Sequence, residues 1–395
     1  MTDLRRSGLA ALATVHFCSS ATMRACDSML PALAQDFGVT TGRAALTVSV
    51  YAVAYGLFQL LFGPLGDRYG KRRVIGCAAL GCVVGNVLAL FAVSLEMLVV
   101  ARFLVGAAAA GIIALVLAWV GDTVPYAERQ PVLARFLTLS LGGMIAGQWL
   151  SGALTEWLGW RAVFALVAVV FCAGGLAISF NRDVRAEPRR PPAAHGYWRD
   201  MRSVLSVPWA RWMLLLVLIE GAFAFCGLTF LPAFLVREFG LGLSAAAAVV
   251  AMYGAGGFFY AFMARRLLAV LGESGMVLVG GLAMGIGWLA LAACPHWALA
   301  LPACLLAGVG FYMLHGTMQT HATQMAPALR GTAVSLFAGS MFLGISVGVA
   351  VASAAVDRVG TRPVFMACAV ALAMLGAAFA LSLRERLSAA ATPPA

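Results

Sequence analysis

Stretches of about twenty predominantly apolar residues recur along this chain, and each is long enough for a helix to cross about 30 Å of hydrocarbon. Twelve are read, at 9–33, 44–65, 74–94, 97–120, 133–155, 161–181, 209–234, 244–265, 275–294, 297–319, 331–355 and 363–383. Such a pattern predicts an all-α bundle of membrane helices, because in lipid each backbone amide must be satisfied within its own segment. Composition agrees: 62% of the 395 residues are hydrophobic and 11% charged. The 43 glycines would weaken soluble helices but let membrane helices approach closely. The first stretch is too long for a cleavable secretion signal and is read as a span.

The net charge of +11 suggests a nucleic-acid partner only until the cations are placed. With both termini cytoplasmic, most of the 27 Lys and Arg residues fall on the inner side, among them Arg68, Lys71, Arg72, Arg73, Arg129, Arg199, Arg265, Arg330 and Arg386. Only Arg43, Arg161, Arg237, Arg358 and Arg362 fall outside. This asymmetry is a topology signal and sets that orientation. The expected setting is a multi-pass protein of a bacterial-type inner membrane, with the lipid bilayer as partner, no nucleic acid, and a monomeric state. The nine cysteines, in or beside apolar stretches, read as small packing residues.

One long polar break divides the spans six and six. It predicts an N-terminal half at 1–181, an exposed cytoplasmic connector at 182–208, and a C-terminal half with a short cytoplasmic tail at 209–395. Glu156, Gly159, Arg161 and Phe164 return, shifted by 201 positions, as Asp357, Gly360, Arg362 and Phe365. The same shift carries Gly143 to Gly344 and Gly147 to Gly348. The chain therefore reads as a duplication, and an even number of spans per copy relates the halves by an axis along the membrane normal.

Between the second and third spans stands Gly63-Pro-Leu-Gly66-Asp67-Arg68-Tyr-Gly70-Lys71-Arg72-Arg73, a tight loop of glycines and alternating charge. It resembles the signature loop of the major facilitator superfamily, and the resemblance extends over about residues 9 to 383. It implies twelve helices in two six-helix halves around a central cavity. It also implies that Asp67 sits against the start of span eleven at Arg330, Gly331 and Thr332 as part of a conformational gate, with Asp122 receiving Lys71 or Arg72. Arg102 and Gly106 resemble the superfamily's arginine motif in span four. Gly143, Gly147, Gln148 and Gly152 resemble the antiporter motif of span five, with Gln148 where a proline usually stands. Asp27 to Leu33, with Trp160, Arg161 and Phe164, is similar to drug:proton antiporters of the bicyclomycin and chloramphenicol exporter type.

Ionisable residues within spans are costly and usually face a cavity with partners. Arg24 and Asp27, spaced i, i+3, share a face of span one. Asp27 and Arg102 lie at matching depths, so Asp27 is expected to pair with Arg102 or to alternate between Arg102 and Arg24. A proton on Asp27 would break that pair, and opening and closing around it would change its proton affinity. A permanent pair that only positions helices is the alternative. Glu220, near the midplane of span seven, is read as a substrate or proton site, and when ionised it would suit cationic solutes. A break in span seven near Pro232 is expected.

Tyr51, Tyr55 and Gln59 form one polar stripe and Tyr312, His315 and Gln319 another. With Tyr253 and Phe311 they are candidates for a solute cavity, or else for packing between helices. His315 is also a candidate second proton site. No metal site is expected, His315 and His321 being six apart without a useful third ligand. No nucleotide loop is present, so no cofactor is expected. The reading is a secondary active, proton-coupled exporter of small amphipathic or drug-like molecules, with no enzymatic activity. Uptake or efflux of a sugar or other metabolite by the same fold stays open, as more remotely do a membrane sensor and a membrane enzyme.

Overall fold

The computed structural model describes residues 3–124, 126–180 and 197–391, and every regular element among them is helical. Helix α1 is Asp3–Asp36, followed by the short α2, Thr41–Ala44. Then come α3 (Leu46–Tyr69), α4 (Lys71–Leu90), α5 (Leu95–Ala109), α6 (Ile112–Thr123), α7 (Tyr126–Leu158) and α8 (Trp160–Phe180). After the short α9 (Tyr197–Ser206) follow α10 (Pro208–Phe239), α11 (Leu243–Ala292), α12 (Ala300–Ala322), α13 (Arg330–Val359) and α14 (Thr361–Ala391).

Nine helical stretches among the described residues are long and apolar enough to cross a membrane. One of them, α11, is two limbs turned at Gly272, whose positive φ of 63° a side chain would resist. The remaining two rods, α1 and α7, are more polar because they carry the buried interface. On α1, His16, Ser19, Ser20, Thr22, Arg24, Asp27 and Ser28 are all buried. Counted this way the rods number twelve, six on either side of the connector, at the positions read from the sequence.

Three details differ from the sequence reading. Span four is broken into α5 and α6 at Ala110 and Gly111, where the Phe62 ring occupies the space a Cβ on Gly111 would need. The expected break at Pro232 does not occur. Helix α10 runs through it, as α1 runs through Pro31, because a packed bundle absorbs one missing amide donor. In the connector, 182–196 lies outside the described residues, but 197–206 forms α9, which lays the fully buried Val204 inward and exposes Trp198.

The repeat is visible atom by atom. A Cβ on Gly143 would strike the carbonyl oxygen of Phe17, and one on Gly147 that of Ala21. Gly344 and Gly348 stand in the same relation to Leu218 and Ala222, each 201 positions later. Helices α1 and α7 thus touch backbone to backbone in one half as α10 and α13 do in the other. At the ends of these pairs, Arg161 donates to the carbonyl of Ala92 at 2.9 Å and Arg362 to that of Ala292 at 2.9 Å.

Candidate transport site

The halves meet through α3 with α13, α7 with α11, and α1 with α10. They are closed at the end where α13 finishes. There the Asp357 carboxylate accepts from the Gly42 N–H at 3.1 Å and from the Thr40 hydroxyl at 2.6 Å, at the start of α2 in the opposite half. Its repeat partner Glu156 does the mirror task, accepting from the Ser244 N–H at 2.6 Å at the start of α11. Gly242 leaves that helix without a side-chain cap of its own, so the cap is supplied across the interface. The Ser244 N–H, and then its hydroxyl, hold the Glu156 carboxyl below its ordinary value. The sequence displayed both carboxylates as a repeat without indicating that they bind across halves.

Deeper in, Gly56 approaches Gly339, and the Tyr55 ring stacks on Phe342 at 4.1 Å between centroids. Tyr55 therefore seals the interface, whereas the Gln59 Oε1, one turn on, is buried without a partner. Toward the opposite end the halves part. A Cβ on Gly63 or Gly331 would meet nothing within 4 Å.

At that parted end the signature loop is folded on itself. Lys71 reaches Asp67 at 2.8 Å and Asp122 at 2.7 Å, tying α3, α4 and α6 together. Gly70, at φ 92°, makes the turn between α3 and α4, and Gly66 packs against Leu115. Arg68 lies over the Tyr69 ring and Arg72 over Trp119. The expected seat of Asp67 against Arg330, Gly331 and Thr332 is not seen: the Asp67 carboxylate is on Lys71, and a Cβ on Gly331 would stand in open space. Arg330 has no hydrogen bond or ion pair among the described residues.

Of the two partners expected for Asp27, the structure seats Arg24. Asp27 is fully buried and touches Arg24, one turn back on α1, at 2.5 Å. Arg102 does not take it. Its guanidinium lies 4.2 Å over the Tyr51 ring and donates to the carbonyls of Thr22 at 3.3 Å and Thr47 at 3.4 Å, so it staples α5 to α1 and α3. Matching depth was not enough, since the carbonyls claimed the guanidinium first. Across the interface, Arg24 faces Phe225 of α10 at 5.0 Å, and the Thr229 hydroxyl lies beside Asp27.

The second half has a pair of its own. His315 Nδ1 lies 2.8 Å from Glu220 Oε2, joining α12 to α10. Glu220 is fully buried, and its Oε1 has no hydrogen-bond partner among the described residues. Phe311 stacks on His315 at 5.1 Å and meets Phe225 edge-on at 5.3 Å. An aromatic bridge thus links Arg24 in one half to the His315 and Glu220 pair in the other. Tyr253 and Tyr312 flank Phe311, and the Tyr253 hydroxyl is buried without a hydrogen bond.

The motif glycines of α7 serve close approach, Gly143 and Gly147 against α1 and Gly152 against Leu243 and Ala247 of α11. Gln148, in the place of the usual proline, donates to the Ser28 hydroxyl at 3.0 Å while that hydroxyl donates to the Gln148 carbonyl at 2.9 Å. Sequence reasoning missed His16, which is fully buried and lies 2.6 Å from the Ser140 hydroxyl. Its spacing of four from Ser20 and eight from Arg24 on α1 was the available signal. It also missed Phe225 and Phe342, which no pattern separates from ordinary core aromatics.

Twelve rods in two repeated halves, an interface closed at one end, and buried charges along it are the form of a secondary transporter. The Major Facilitator Superfamily model matches residues 12–349, and the chain belongs to that family. A chloramphenicol resistance protein of Streptomyces lividans is 26% identical over 82% of this chain and 83% of its own length. An uncharacterised transporter of Bacillus subtilis, YceJ, is 26% identical over the same shares. Among solved structures, a bacterial homologue of the human lysosomal transporter Spinster superposes with a TM-score of 0.79 at 20% identity, covering 100% of both chains.

Proposed function

We propose that this protein is a proton-driven exporter of small amphipathic molecules, working by alternating access between the state described and one opened at the Asp357 end. The observation that carries the reading is the buried Arg24 and Asp27 pair, at 2.5 Å, on the helix that faces the other half. A proton arriving on Asp27 removes the charge that holds Arg24. The freed guanidinium shifts toward solute or toward Phe225, and the contacts across α1 and α10 change with it. The Glu220 and His315 pair supplies a second proton-binding position in the other half. The distant similarity to a chloramphenicol resistance protein supports export of drug-like solutes.

The proposed cycle alternates two closures. At one end the carboxylates of Glu156 and Asp357 cap helices of the opposite half. At the other, Asp67 leaves Lys71 for Arg330 and the start of α13 when the loop end closes. In this reading the loop end, with both termini, faces the cytoplasm across an inner membrane, which the cation bias supports. The folding units are 1–181 and 209–395, joined by 182–208, and the protein acts as a monomer.

The test is flux in proteoliposomes with an imposed proton gradient and chloramphenicol among the solutes. Gradient-driven flux is expected for the parent and lost in Asp27→Asn, which keeps size and removes charge. Flux independent of the gradient overturns the coupling, and net uptake overturns the direction in favour of a metabolite importer.

A further inference from the structure

Two guanidinium N–H groups buried in the first half have no acceptor. Arg24 is 3% exposed and its Nη2 lies 2.5 Å from the Asp27 carboxylate, yet its Nε has no hydrogen-bond partner among the described residues. Arg102 is fully buried and its Nη1 is likewise unpaired. Such donors are costly, because the water they lost has not been replaced.

The space beside Arg24 shows what shape would supply an acceptor. Arg24 lines a void with Tyr51, Phe225, Phe342 and Ile345, walls that are aromatic or aliphatic apart from the guanidinium. The void is about 10 Å³ here, about enough for one water. Its walls come from α1 and α3 of one half and α10 and α13 of the other, so the rocking of the halves sets its size. A larger void of about 520 Å³ lies at the surface near Trp160, remote from these charges. Asp27, meanwhile, already holds a tethered cation. A cationic solute would have to displace Arg24 from it, whereas an acceptor on the solute would satisfy the Arg24 Nε–H, which has no partner among the described residues.

We propose that the solute recognised beside Arg24 is a planar aromatic molecule bearing a carboxylate, nitro or carbonyl acceptor, with the acceptor on the guanidinium and the ring against Tyr51, Phe225 and Phe342. Lipophilic cations are disfavoured by the same arginine. The inference rests on the exporter reading only in placing the solute path at this interface.

The experiment is equilibrium binding to the full chain in lipid nanodiscs, without any gradient, using 1-naphthoate, neutral 1-nitronaphthalene and tetraphenylphosphonium as probes. The parent is expected to bind both acceptor probes at least tenfold more tightly than the cation. Arg24→Gln combined with Asp27→Asn removes both charges of the pair at once. It is expected to lose tenfold or more for naphthoate while binding tetraphenylphosphonium no less tightly. Arg24→Lys keeps the charge without the planar fork and is expected to fall between. Monodisperse elution and an unchanged unfolding midpoint establish that each variant is folded, and Phe225→Leu, which removes no charge, is expected to weaken binding of both acceptor probes. Tighter binding of the cation, undiminished naphthoate binding in the double variant, or no binding of either acceptor probe to the folded parent each overturns the proposal. Binding as described without gradient-driven flux refutes the exporter reading and leaves this one standing.

Discussion

Neutralising both interface carboxylates, with Glu156→Gln and Asp357→Asn, is expected to open the end of the bundle that the structure finds closed. Each carboxylate caps the first turn of a helix in the opposite half, Glu156 at the Ser244 N–H (2.6 Å) and Asp357 at the Gly42 N–H (3.1 Å) and the Thr40 hydroxyl. The amides that replace them still accept hydrogen bonds, so what is lost is the charge facing the helix N-terminus. At an exposed site that is worth about 0.3–1 kcal/mol each. Two losses total about 0.6–2 kcal/mol, which moves the open-to-closed ratio at that end roughly threefold to thirtyfold. Nitroxides at Val93 and Leu299, both exposed and on opposite halves of that end, report the change as a longer-distance population in pulsed electron resonance. Arg43→Gln, which breaks an exposed 3.3 Å pair with Glu96 inside one half, is the control and leaves the distances as they were. An unchanged distribution in the double variant, or an equal shift in the control, refutes the reasoning.

The pH dependence follows with its sign. The Glu156 carboxyl is held below its ordinary value of 4.5 by the Ser244 N–H in the closed form. Its contribution to closure is therefore complete above 4.5 and disappears as pH falls through the lowered value, so acid populates the open end in the same resonance experiment. Arg24→Gln alone strands the Asp27 carboxylate and is expected to cost about 3–5 kcal/mol, read as a lowered unfolding midpoint that Asp27→Asn restores. Gly344→Ala forces a Cβ onto the Leu218 carbonyl and is expected to destabilise by about 1–3 kcal/mol, measured by thermal unfolding in detergent. Glu220→Gln removes the carboxylate partner of His315 and is expected to lower gradient-driven flux in proteoliposomes. Unaltered flux places that pair outside the coupling.

Much of this architecture was legible in the sequence because membrane insertion is decided segment by segment. Whether residues 74–94 or 363–383 cross a bilayer depends on their own apolar content, and so do the polar loops that join them. The repeat of Glu156, Gly159 and Arg161 as Asp357, Gly360 and Arg362 was equally plain, and so were the glycines that let α7 and α13 lie against their neighbours. The signature loop announced its own turn at Gly70, because only a residue without a side chain adopts that φ at no cost.

Partnership was another matter, since sequence sets depth along a helix but not which face a neighbour presents. Asp27 and Arg102 are level, yet Arg102 is consumed by the carbonyls of Thr22 and Thr47, and Asp27 falls to Arg24 on its own helix. Glu220 and His315 are 95 positions apart, and only the packing of α10 on α12 brings them to 2.8 Å. Which end is closed was also beyond the sequence. Asp67 is on Lys71 in the structure, and the alternative seat at the start of α13 belongs to the proposed closed form of that end. The spans, their repeat and their charge bias were thus written in the chain itself, each resting on interactions local to a segment. The buried pairs, the capped end and the donors left waiting beside Arg24 came only with tertiary structure, because each depends on two helices meeting at one angle.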